Sequence, residues 1–100
     1  MIYYKALDPQ LRSLGLKRAN PIQYLEGKWV YPREMPDPGQ YTKGGLWVGK
    51  NRSFIRWICK YMREKYDRDV VVYTCEIGRV LWESCNRIKT DKVKLLERVV

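Results

Sequence analysis

"RSFIRWICKYMR", residues 52–63, is the stretch whose reading decides the fold of this chain. Wound as a helix, it gathers Arg52, Arg56, Lys60 and Arg63 within an arc of about 80°. Phe54, Ile55, Ile58, Tyr61 and Met62 fall largely on the other side, as a core-facing stripe. Asn51 or Ser53 is placed to cap the N-terminus, and Lys65 supplies a cation for the last turn. The pattern predicts one dominant amphipathic helix over about 51–66. No acid lies inside the basic arc. Glu64 stands just outside it, within reach of Lys60 or Arg68. Like charges at this spacing repel by a few tenths of a kcal/mol per pair. An acid-free arc therefore fits a surface that meets an anion. It also fits a plainly solvated face. With Lys50 and Arg68 added at the ends, six basic residues are expected to form one ridge: Lys50, Arg52, Arg56, Lys60, Arg63 and Arg68.

On either side of this helix the chain reads as strands. "IYYKAL", 2–7, is β-branched and aromatic, and Asp8-Pro9 stops it. Asp8 as cap and Pro9 at the first helical position predict one helical turn, which Gly15 ends. "IQYLEGKWVY", 22–31, reads as a strand or a short hairpin hinged at Glu26-Gly27. "PREMPDPGQYTKG", 32–44, is a loop of the length that is often functional. "GLWV", 45–48, is a short strand. "VVVYTCEIG", 70–78, has the unbroken apolar run of a strand covered on both faces. Its exception, Glu76, is expected near the strand's end, where water reaches it. "RVLWE" is another extended piece, "SCNRIKTD" a polar connection, and "KVKLLERVV" a half-exposed or edge strand whose lysines discourage edge pairing. The class is α+β: a single domain, 1–100, with a small, mostly antiparallel sheet and that one helix.

Charge points to a class of partner. Twenty Lys and Arg against 11 Asp and Glu leave a formal charge of +9. The resulting field attracts polyanions, nucleic acid first among them. With no histidine in the chain, a Ser-His or Cys-His nucleophilic site is excluded. Cys59, Cys75 and Cys85 have no metal-ligand spacing, and Cys59 and Cys75 read as small core residues. No metal or cofactor is expected, nor is an enzyme. No apolar run reaches membrane-spanning length, so the reading is a cytoplasmic protein without a membrane partner. "TKGGLWVGKNRS", 42–53, suggests a phosphate loop but misses GxxxxGK[ST], because Asn51 follows Lys50. A tight strand-to-helix turn is the simpler account, with an anion nest as the alternative.

The aromatic residues, eight Tyr and four Trp against one Phe, suit interfaces. Trp57 lies at the border of the basic and apolar arcs. A tryptophan there either stacks on a base or closes the core, and the core is expected. Trp47, Trp57 and Tyr41, with the loop 32–44, are the anchors of an alternative reading as a protein-binding inhibitor or adaptor.

Five segments in order, "YKALDPQLRS", "QYLEGKW", "GGLWVGKN", "VVYTCEIG" and "RIKTDKVKLLERV", resemble small phage and prophage proteins of unknown function. The chain departs from that pattern at Trp47, where histidine is frequent. The layout is also loosely similar to the ADP-ribosyltransferase-like fold. That resemblance implies a first-strand Arg or His, where this chain has Lys5, and a late acid, for which Glu76 or Glu83 is available. The resemblances imply the architecture and a viral or mobile-element origin; the net charge, the acid-free arc and the neighbouring Trp residues add the expectation of an accessory protein that meets nucleic acid or a host nucleoprotein. A reduced transferase-like enzyme acting on NAD or a nucleotide is the remote alternative.

Overall fold

The apolar run of residues 71–73 cannot be solvated on either side, and the fold is arranged around that fact. A computed structural model describes residues 2–14, 21–33 and 44–99. The elements are β1 (Tyr3–Leu7), β2 (Trp29–Val30), β3 (Leu46–Gly49), α1 (Arg52–Tyr66), β4 (Val71–Ile77), β5 (Val80–Glu83), β6 (Arg87–Thr90) and β7 (Val93–Arg98). They form the expected α+β architecture. The strands make one antiparallel sheet in the order β2-β7-β4-β1-β3-β6-β5.

Strand alternation sorts β4 between two cores. Val72 joins Tyr4 and Ile55 beneath α1. Val71, Tyr73 and Cys75 face the other way. They pack with Leu7, Tyr24, Leu46, Val48, Ile88, Val93 and Leu95. Leu46, Val48 and Ile88 come from one half of the sheet, Val93 and Leu95 from the other. The sheet thus curls so that both halves share one interior, and β4 is covered on both faces. Glu76 is exposed and pairs with Lys94 at 3.5 Å, near the end of its strand.

Asn51 begins α1. Its Oδ1 accepts the Phe54 amide at 2.8 Å, filling one of the open donors of the first turn. Asp67, in the left-handed conformation at φ 49°, ends it and returns its amide to the Arg63 carbonyl. Ile55 and Met62 are the buried contacts, each worth about 1.5–3 kcal/mol. Asn51→Ala is expected to cost about 1 kcal/mol, read as a lower urea midpoint at unchanged slope.

Three sequence expectations need correction. Asp8 does not start a helical turn. Its Oδ1 accepts the amides of Gln10 and Arg12, a side-chain turn that leads into Leu11 at φ 60°. Positive φ at Leu11 is incompatible with a continuing right-handed helix. Of residues 22–31, only Trp29 and Val30 form a strand, paired with β7, while Gln23 and Glu26 make isolated bridges. The chain is diverted at Gly27, which takes φ 76° and gives its amide to the Leu95 carbonyl. The supposed polar connection contains β6, an interior strand between β3 and β5. Ile88, Lys89 and Thr90 are all buried there. The last strand, β7, is half-exposed as its alternation allows, with β2 covering part of its outer side.

Candidate nucleic-acid interface

Helix α1 crosses β1 and β3, and its two shoulders differ in chemistry. With Arg52 as origin, the basic residues occupy about 0–80°, the buried Ile55 and Met62 about 280–300°, and Phe54, Trp57 and Tyr61 about 140–200°. The basic shoulder overlooks β1, where Arg52 Nε donates to the Tyr4 hydroxyl at 3.2 Å. The aromatic shoulder leans toward β3. A Cβ on Gly49 would meet both Ile55 and the Phe54 ring, so the bare glycine lets the helix sit low there.

Arg52, Arg56, Lys60 and Arg63 are all exposed, as the arc predicts. Lys60 lies 4.0 Å from Glu64 and Arg63 3.2 Å from Asp69, both as exposed pairs. Exposed pairs of this kind contribute about 0–1 kcal/mol and exchange partners readily. Arg56 makes no ion pair among the described residues. The other two members of the expected ridge are drawn elsewhere. Lys50 is turned to the Glu83 carboxylate and the Ser84 carbonyl, which ties the start of α1 to the β5–β6 turn. Arg68 approaches Asp8 at 4.0 Å. The ridge is therefore four residues long, because its flanking cations are half-buried beside acids brought in from elsewhere in the fold. The glycine-led segment before α1 is a tight strand-to-helix turn, with the Lys50 amide on the Asn86 carbonyl and the cap filled by Asn51.

Trp57 is the clearest departure from expectation. It is 55% exposed and does not close the core. Its ring stacks between Phe54, at 6.1 Å and 22°, and Tyr61, at 5.2 Å and 19°. Tyr66 continues the row edge-on at 5.8 Å, and the Lys65 ammonium sits over both tyrosines. The helix thus presents a ladder of rings beside its cations. Neighbouring rings satisfy Trp57 at the surface, which a helical wheel does not reveal.

Trp47 belongs to a second cluster, on the sheet. It pairs with Lys89 across β3 and β6, and Lys89 pairs with Trp82 across β6 and β5. The indoles of Trp47 and Trp82 meet edge-on at 5.5 Å. The Arg87 guanidinium lies 4.6 Å from the Trp47 ring centre and 6.0 Å from that of Trp82. The Lys89 ammonium lies 4.7 Å from Trp47. Contacts of this geometry are attractive cation–π pairs. Arg87, Lys89 and Trp82 are missed by sequence reading, since strand register alone brings them to Trp47. A third set has Lys92 and Lys94 over Trp29 at 4.4 and 4.9 Å. Tyr41 and residues 34–43 of the long loop lie outside the described residues.

The residues implied by the transferase-like resemblance are not brought together. Lys5 points into the interior, where its ammonium donates to the Trp47 carbonyl at 2.6 Å. Glu76 on β4 and Glu83 on β5 are separated in the sheet by three strands, and each is held by a lysine. Burial pushes the Cys75 thiol up to about 12 and raises that of Cys59, so neither is poised as a thiolate. Among the described residues, no helix is long and apolar enough to cross a membrane. Compared with protein-family models, with curated proteins and with solved structures, the chain finds no match.

Proposed function

We propose that this is a small nucleic-acid-binding protein whose helix α1 meets the phosphate backbone with Arg52, Arg56, Lys60 and Arg63. One observation carries the reading: four exposed cations and a stacked row of rings share the same short helix. Phosphates suit the first group and unstacked bases the second. The exposed pairs of Lys60 and Arg63 are no obstacle, since a phosphate replaces a carboxylate at little cost. The formal charge of +9 adds long-range attraction.

Fluorescence anisotropy with labelled DNA and RNA across a salt series tests this. Saturable binding with a steep salt slope is expected. Reversing Arg56, Lys60 and Arg63 to glutamate together removes three phosphate contacts and flattens the slope of log K against log salt by about 2–3. Wild-type binding that the triple variant leaves unchanged would place the site elsewhere. If the wild type fails to bind at low salt, α1 is a solvated helix, and the exposed Trp57 becomes the anchor for a protein partner. Capture of that partner surviving nuclease treatment would identify the second case.

A further inference from the structure

We infer that the outer face of β3, β6 and β5 is a second contact surface, built to stack bases of a single nucleic-acid strand on Arg87, Trp47 and Trp82. The inference rests on the nucleic-acid reading of α1 and deepens it, by naming single strands as the ligand. It starts from register. Trp47, Lys89 and Trp82 form one row across three neighbouring strands. Side chains directly opposite in antiparallel strands share a face. Arg87 pairs with Gly49 and lies two residues from Lys89, so it too is on this face.

Two cations lie against this row. Lys89 is only 1% exposed, and its stem fills the space where a side chain on Gly45 would stand. Its charge is thereby fixed beside the Trp47 indole. Arg87, exposed, brings a second cation to the same ring and makes no ion pair with any described residue. The nearby acid, Glu83, is engaged by Lys50. Two like charges thus flank one indole, with the outer one open to an anion. A guanidinium beside an indole can take a flat ring on its plane and a phosphate oxygen on its N–H edge.

Position joins this face to the helix. Phe54 begins the aromatic shoulder of α1 and rests against Gly49, the residue paired with Arg87. The rings from Tyr66 to Phe54 therefore lead toward Arg87 and the two indoles. A strand following that course would find a planar group along both the helix and the sheet. A duplex would not use it, because its bases are already stacked and show only their edges in the grooves.

The test uses the full chain and 20-nucleotide labelled oligothymidine, oligouridine and a duplex of equal length. Arg87→Gln is the main variant, since its side chain is at the surface, with Trp82→Leu as the second. Each is expected to weaken single-strand binding about tenfold and leave duplex binding within about twofold, because one stacked base is lost. Quenching of tryptophan fluorescence by oligothymidine should be reduced in Trp82→Leu. The Arg56/Lys60/Arg63 reversal should weaken single strand and duplex alike. If Arg87→Gln binds single strands as the wild type does while the helix reversal fails to bind, the platform is overturned and the helix reading stands. Equal losses of Arg87→Gln on single strand and duplex would also overturn it, leaving Arg87 as a plain phosphate contact. No binding by the wild type would overturn both.

Discussion

Asp8→Ala is expected to lower the unfolding free energy by about 3 kcal/mol. The side chain of Asp8 is only 6% exposed, yet it organises everything around the end of β1. One carboxylate oxygen accepts the amides of Gln10 and Arg12, at 2.9 and 2.8 Å. The other takes the Arg12 guanidinium at 2.9 Å, with Arg68 at 4.0 Å. Alanine leaves two amides without their acceptor and releases the turn that carries Leu11 at positive φ. The arginines are partly exposed and return to water, which limits the loss. Asparagine keeps an acceptor for the amides and should lose only about 1 kcal/mol. Acid sensitivity separates the two variants. Burial pushes the Asp8 carboxyl up, but the Arg12 amide and guanidinium and the Gln10 amide outweigh it and hold the group below its ordinary 3.8. A folded value below the unfolded one gives stability that is full above the unfolded pKa and lost as pH falls through the folded one. The wild type should therefore lose its advantage over Asp8→Asn below about pH 4. Urea midpoints of both proteins between pH 2 and 7 check this. A gap that stays constant with pH would mean that the charge of Asp8 contributes nothing.

The elements that sequence reading placed well are those whose pattern is local. Residues 52–63 announce a helix because periodicity, cap and terminal cations agree. Residues 71–73 announce a doubly covered strand through their unbroken apolar run. The failures share a different cause. Lys89 and Thr90 look like loop residues, but the Thr90 hydroxyl donates to the Arg79 carbonyl at 2.8 Å and the Lys89 ammonium rests on an indole. Each polar group is satisfied by a partner distant in sequence, and no local pattern carries that information. Lys50 and Arg68 left the ridge for the same reason. Their acids, Glu83 and Asp8, are 33 and 60 residues away along the chain, brought close only by the sheet. Of the candidate interface, then, the basic arc of the helix was legible, while its exposed ring ladder and the sheet half were not. Periodicity describes a single element, while the Trp47–Lys89–Trp82 row exists only through register.

Lys5→Met is expected to raise stability at neutral pH, by about 2 kcal/mol, although it removes a hydrogen bond. Lys5 lies on β1 among the buried core residues, 8% exposed, beside Tyr24 and Cys75. Its ammonium has the Trp47 carbonyl at 2.6 Å and the Tyr24 ring at 5.2 Å, and makes no ion pair among the described residues. Burial lowers its pKa from 10.5 to about 8. Below that value the folded protein holds a charge it would rather release, a penalty of about 3 kcal/mol. Methionine has similar length, carries no charge and fills the same space. The lost bond to Trp47 returns about 1 kcal/mol of the gain. The pH dependence runs opposite to that of Asp8. Between pH 8 and 10.5 the unfolded chain binds more protons than the folded one at this site, so the wild type gains stability as pH rises. Lys5→Met lacks this contribution, so the two unfolding free energies should converge across that window. The Tyr24 hydroxyl, buried with no hydrogen-bond partner among the described residues, lies in the same interior. If Lys5→Met is instead destabilised at every pH, the ammonium is contributing more through Trp47 and Tyr24 than its desolvation costs. The interior would then be built around this charge, with Lys5 anchoring the backbone of the strand that carries Trp47.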